Sequence, residues 1–182
     1  MALGLAASIR PGAGASDSDL PPDVAAQIKA DFIYTVAKFV EWPPETFADP
    51  GAPLVVAVVG EDPLGTALDA FLAGKRVKGR PIEVRRVRNP GDLGPCEVLF
   101  VGSSGPEDPR RLLGRVRGRS VLTVSEAEGF ARAGGILEIE VRDGLIRFVV
   151  NHEAAEGSGL RISSKILSLG RVVRTRAIPG EE

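Results

Sequence analysis

Leu54-Val55-Val56-Ala57-Val58-Val59-Gly60 is the stretch on which the fold turns. Its apolar residues run without a polar interruption and end in glycine. A strand with one wet face would alternate, so this one reads as a strand buried on both faces of a mainly parallel sheet. Immediately after it, Asp62 and Pro63 supply an N-cap and a first-turn proline for a helix through Leu64, Leu68, Phe71 and Leu72, stopped by Gly74. The same cycle continues downstream. Residues 82–87 and 97–102 read as strands, 109–116 as a helix and 120–124 as another strand. Alternation of this kind builds a parallel α/β sheet.

The last third changes character. Residues 136–141 and 145–150 read as two strands joined around Arg142-Asp143-Gly144, where Asp-Gly signals a hairpin turn. Gly157 and Gly159 then precede a segment, 162–173, whose Ile162, Ile166, Leu167, Leu169 and Val173 are spaced to close one face of the sheet as an amphipathic element. Upstream, Pro21 and Pro22 open a helix with Val24, Ile28, Phe32, Val36, Phe39 and Val40 as its apolar stripe, ending where Trp42 meets Pro43. The expected fold is therefore α/β: a single three-layer domain with a mainly parallel central sheet of about six strands. Helices cover both faces, and an antiparallel hairpin lies near the C-terminal end. The domain spans 21–176, with 177–182 a frayed tail.

Residues 1–20 read as a leader, either a signal-peptide remnant or a disordered stretch. The apolar start Met1 to Ala7 and Ala13-Gly14-Ala15, which has the form of a cleavage site, favour export. No later segment approaches the roughly 18 apolar residues of a membrane-spanning helix. Lysine plus arginine (23) nearly balances aspartate plus glutamate (24), so no overall field favours nucleic acid. The arginines at 85, 86, 88, 110, 111, 115 and 117 read as solvated faces beside Glu83, Glu107 and Asp108, with no interleaved aromatics.

Catalytic chemistry finds little footing. Gly60 and Gly65 stand at phosphate-loop spacing after a strand, but Thr66 occupies the place of the lysine and Pro63 removes a backbone donor. A small anion at that helix start is the less demanding reading. His152, the only histidine, has Glu153 and Glu156 nearby but no nucleophile signature, and reads as a solvated loop residue. The one cysteine, Cys96, excludes an internal disulfide and reads as a buried small hydrophobe beside Val98-Leu99-Phe100-Val101. No metal-ligand spacing or cofactor motif is present, and the chain reads as non-enzymatic.

One run carries a family likeness. Residues 29–43 fit K-x-x-F-x-Y-x-x-x-K-F-x-x-W-P through Lys29, Phe32, Tyr34, Lys38, Phe39, Trp42 and Pro43, and this closely resembles the opening helix of YfiR-like proteins. Matches continue at 58–65, at Gly79-Arg80-Pro81-Ile82 and at Cys96 with 99–102. They extend through 121–124 with Gly129-Phe130, then Gly134-Gly135-Ile136, 147–151 and 159–167. The resemblance, spanning roughly 23–173, implies a periplasmic α/β regulator without enzymatic activity. Its implied partner is an inner-membrane diguanylate cyclase or another membrane sensor protein, repressed so that cyclic di-GMP and biofilm formation fall. A homodimer is also implied; nucleic acid and direct membrane insertion are not. Two departures stand out: Cys96 lacks the companions with which relatives form disulfides, and Val149 and Val150 stand where relatives often carry glutamate.

Two sets of residues follow as candidates. Docking on the partner is assigned to Phe148, Asn151, Leu160, Ile162, Ser163 and Leu167, with the expectation that a charge at Leu160 abolishes repression and spares the fold. The alternative function, a small-ligand sensor acting on another membrane protein, places a pocket at Glu61, Asp62 and Thr66 with Tyr34 and Trp42 of the aromatic-rich first helix.

Overall fold

The computed structural model describes residues 21–102, 108–142 and 145–175. The expected leader, Glu107, the Asp143-Gly144 turn and the tail beyond 176 lie outside the described residues. The elements, in chain order, begin with α1 (Pro22–Lys38), β1 (Val40–Glu41), β2 (Leu54–Val59), α2 (Gly65–Leu72), β3 (Arg76–Val77) and β4 (Arg80–Val87). Then come β5 (Val98–Val101), α3 (Pro109–Val116), β6 (Leu122–Ser125), β7 (Leu137–Arg142) and β8 (Leu145–Asn151). The chain closes with α4 (His152–Gly157), β9 (Arg161–Ile162), α5 (Ser164–Leu167) and β10 (Arg171–Val173).

An eight-stranded sheet in the order β10-β8-β7-β6-β5-β2-β4-β3 organises the molecule, two strands more than the periodicity suggested. The additions are the short edge strands β3 and β10, too brief to leave a periodic signal. The sheet is parallel except for the β7/β8 hairpin and the β3/β4 edge pair. β2 is central, flanked in parallel by β4 and β5. Its alternation divides the core: Val56 and Val58 join α1 and α2 residues in one apolar cluster, while Ala57 and Val59 join Leu112 and Val116 of α3 in the other. Leu54, Leu99 and Phe100 are at most 1% exposed, and each contributes about 1.5–3 kcal/mol by burial. The unbroken apolar run thus has its cause: both faces of β2 are covered, with only Val55 half-buried.

Two sequence expectations give way to tertiary packing. In α1 the buried stripe is Ala26, Lys29, Ala30, Ile33, Val36 and Ala37, not the line through Val24, Ile28 and Phe32. The small alanines let the helix lie close to the sheet, and the bulkier line falls on its flank, where Phe32 meets Phe148 of β8 with ring centroids 4.8 Å apart. The helix also stops at Lys38, because Val40 and Glu41 leave it to pair antiparallel with Ile162 and Arg161. The segment 162–173 is likewise not one element. Ser163 caps a single turn, and Gly170 allows the chain to pass directly over the Phe148 ring, where any Cβ would overlap it.

Candidate docking surface

Among the described residues the sheet ends at β10, and three large apolar side chains stand in water along this margin. Leu145 opens β8 and is 65% exposed, Leu169 in the α5–β10 loop is 77% exposed, and Val172 on β10 is 49% exposed. Only Val24 joins them as an exposed large hydrophobic among the described residues, so exposure is concentrated at one edge rather than scattered. β10 pairs with Val149, Val150 and Asn151 alone, which leaves Leu145 to Phe148 without an outer partner strand among the described residues. Arg147 on β8 and Arg171 and Arg174 at β10 are exposed along the margin, and Arg161 and Lys165 are exposed on β9 and α5.

The residues first assigned to docking divide by burial. Asn151 and Leu160 are fully buried and Ile162 is 6% exposed, so these three belong to the core and cannot form the outer surface of the folded chain. The Asn151 amide donates to the Ala131 carbonyl (2.7 Å) and to Thr175 Oγ1 (2.9 Å), and its oxygen accepts from Ala154 N–H at the start of α4. It ties three segments together. Leu160 packs in the main apolar cluster, so a charge there would be buried and would unfold the chain rather than test docking. Ile162 pairs with Val40. Ser163 is half-buried and structural: its N–H donates to the Phe39 carbonyl and its hydroxyl caps α5. Phe148 and Leu167 are half-buried against the core and border the exposed margin. Sequence reasoning missed Leu169, Arg171, Val172 and Arg174; Leu169 had been placed on an inward stripe. The available signal was Gly170 followed by a short β-branched run between arginines, the pattern of a charged edge strand.

The residues assigned to a ligand pocket are not brought together. Asp62 and Thr66 follow the C-terminal end of β2, whereas Trp42 sits beside Leu54 at its start, roughly 17 Å away at 3.3 Å per residue. Trp42 donates from its indole to the Glu97 carbonyl and lines a pocket of about 60 Å³ with Phe47, Leu54, Val77, Lys78 and Arg80. The Arg80 guanidinium is committed there, stacked on Phe47 and donating to the carbonyls of Asp49 and Ala52. Tyr34 donates to the Arg76 carbonyl and lies edge-on to Phe71.

The anion reading of the β2–α2 turn fails for a specific reason. The Asp62 carboxylate already accepts from the N–H groups of Leu64 and Gly65, the donors an anion would need. Arg86 completes the closure, with 2.7 Å to Asp62 and 2.6 Å to Asp69. The hydrogen bond from Arg86 holds the Asp69 carboxyl below its usual range and raises the guanidinium's own value further.

Cys96 and Glu97 lie in the interior. Burial pushes the Cys96 thiol and the Glu97 carboxyl up, and Glu97 Oε2 accepts from Val55 N–H at 2.7 Å. His152 lies at the start of α4 rather than in a loop, 3.6 Å from Glu156. Among the described residues no three His, Cys, Asp or Glu side chains gather to hold a metal, and no helix is long and apolar enough to cross a membrane. A comparison with protein-family models matches residues 26–171 to the family described as YfiR/HmsC-like.

Proposed function

The chain belongs to the YfiR/HmsC-like family, and from that premise we propose that it is a non-enzymatic periplasmic regulator that docks on a membrane diguanylate cyclase and represses it, lowering cyclic di-GMP. The observation that carries the docking is the exposed apolar margin of Leu145, Leu169 and Val172. A folded chain gains nothing by leaving these side chains in water, and their clustering at one edge marks a surface to be covered. Phe148 and Leu167 support the margin from beneath. The surrounding cations orient the partner and speed the encounter more than they add affinity.

The test places aspartate at all three margin positions in the full chain and measures retention on host membranes together with cellular cyclic di-GMP. Substitutions at exposed sites of this kind leave stability within about 0.5 kcal/mol each, so the variant stays folded. Loss of membrane retention and a rise in cyclic di-GMP are expected. Full repression by a folded triple variant would remove this margin as the docking site.

A further inference from the structure

The docking margin has a backbone as well as side chains. Among the described residues β10 is the last strand in the sheet order, and a strand paired on one side leaves half its N–H and C=O groups pointing outward. Its side chains alternate: Arg171 and the buried Val173 fall on one face, Val172 and, continuing the strand, Arg174 on the other. Residues 161–175 carry Arg161, Lys165, Arg171 and Arg174 and not one carboxylate. Among the described residues, neither Arg171 nor Arg174 enters an ion pair.

We propose that β10 is the acceptor edge for an extended acidic and apolar segment of the partner protein, added to the sheet as a further strand beside Arg171–Arg174. The inference deepens the docking reading above and rests on it for the partner's identity. Strand addition takes its affinity from main-chain hydrogen bonds and its selectivity from alternate side chains. Here Arg171 on one face and Arg174 on the other each select a carboxylate, while Val172, on the face of Arg174, selects an apolar residue. A second copy of the chain is a poor occupant. Self-pairing would bring together two edges that both carry Arg171 and Arg174 and have no carboxylate within 161–175, so the cations of one copy would meet only cations of the other. An anionic lipid surface would satisfy the cations but offers no row of backbone groups to the strand.

The experiment uses the full chain, phosphatidylglycerol vesicles and three synthetic peptides: one with glutamates three residues apart and valines between them, so that the carboxylates fall on opposite faces as Arg171 and Arg174 do, one with lysines in place of the glutamates, and the acidic peptide with alternate backbone nitrogens methylated so that it cannot join a ladder. Binding is read by titration and by amide hydrogen exchange at β10. The acidic peptide should bind and slow exchange within 171–174, and the methylated and lysine peptides should not. The double variant Arg171→Glu, Arg174→Glu should weaken the acidic peptide about tenfold and admit the lysine peptide. Equal binding of the methylated peptide, no binding of any peptide, or binding only to phosphatidylglycerol vesicles would overturn the proposal. The titration involves no cyclase, so its failure overturns the acceptor edge alone, whereas unchanged cyclic di-GMP in the separate margin-variant test overturns the regulator reading and leaves the acceptor edge standing.

Discussion

Replacing Asn151 by alanine separates the core from the docking margin. Asn151 is fully buried and serves three segments at once. Its oxygen is the acceptor for Ala154 N–H, an orphan donor in the first turn of α4, and its amide donates at 2.7 Å to the Ala131 carbonyl. After the substitution Ala131 O keeps only its longer bond from Gly134 N–H, at 3.3 Å. An orphaned N–H in the interior costs about 1–2 kcal/mol, and the lost amide bond about 1 kcal/mol more. The bond to Thr175, which is exposed, adds little because water replaces it. The sum is about 2–3 kcal/mol, and at 2–4 °C per kcal/mol for a chain of this size the melting temperature should fall by roughly 5–10 °C. Urea unfolding followed by circular dichroism measures the loss directly. At temperatures where the variant remains folded, retention on membranes should be unchanged, because Asn151 does not reach the surface. A loss below about 1 kcal/mol would refute the reasoning, as would normal stability with abolished docking.

Two further outcomes follow from buried charge. Lys29, on the sheet-facing side of α1, is 7% exposed in its side chain and pairs with Glu126 at 2.7 Å. Glu126→Ala should therefore cost about 2–3 kcal/mol by stranding the ammonium, whereas Lys29→Met, which removes the buried charge itself, should cost less in the same unfolding assay. Burial raises the Glu97 carboxyl above its ordinary 4.5, so the native state holds that proton to higher pH than the unfolded chain does. The resulting stabilisation is complete below the unfolded value and is lost as pH rises through the raised folded value. Relative to Glu97→Gln, which stays neutral, the native chain should thus lose stability as pH rises above 4.5, measured as the difference in unfolding midpoints. A constant difference across that range would count against a buried, desolvated Glu97.

The central strands and their helices were legible because each element states its own environment. β2 is apolar throughout since both faces are covered, α3 spans the expected 109–116, and the hairpin strands β7 and β8 match the expected pair to within a residue. The candidate site was less legible. Leu160 and Ile162 follow a glycine-rich break and look available, yet the pairing of β9 with β1 draws both inward. Leu169 has the spacing of an inward residue, but the single turn of α5 ends before it and leaves it in solvent. Asp62, expected as the N-cap of α2, instead lies three residues before the helix, which begins at Gly65 after Leu64, and its carboxylate holds the preceding turn through the N–H groups of Leu64 and Gly65; the arrival of Arg86 from β4 to close the same turn has no local signature.

The amino-acid sequence by itself determined the α/β class, the order of the principal strands and helices, the burial of Cys96 and the family resemblance, because these depend on periodicity, turn chemistry and motif spacing along a short stretch of chain. Only the tertiary structure decided which apolar residues remain in water, which polar groups are consumed by internal hydrogen bonds, and that β10 lies at the open edge. Those outcomes depend on partners far apart in sequence: Val40 against Ile162, Arg86 against Asp69, Phe32 against Phe148. A residue's exposure is set by what the rest of the chain brings to it, and that is why Leu145, Leu169 and Val172 remain in water beside β10.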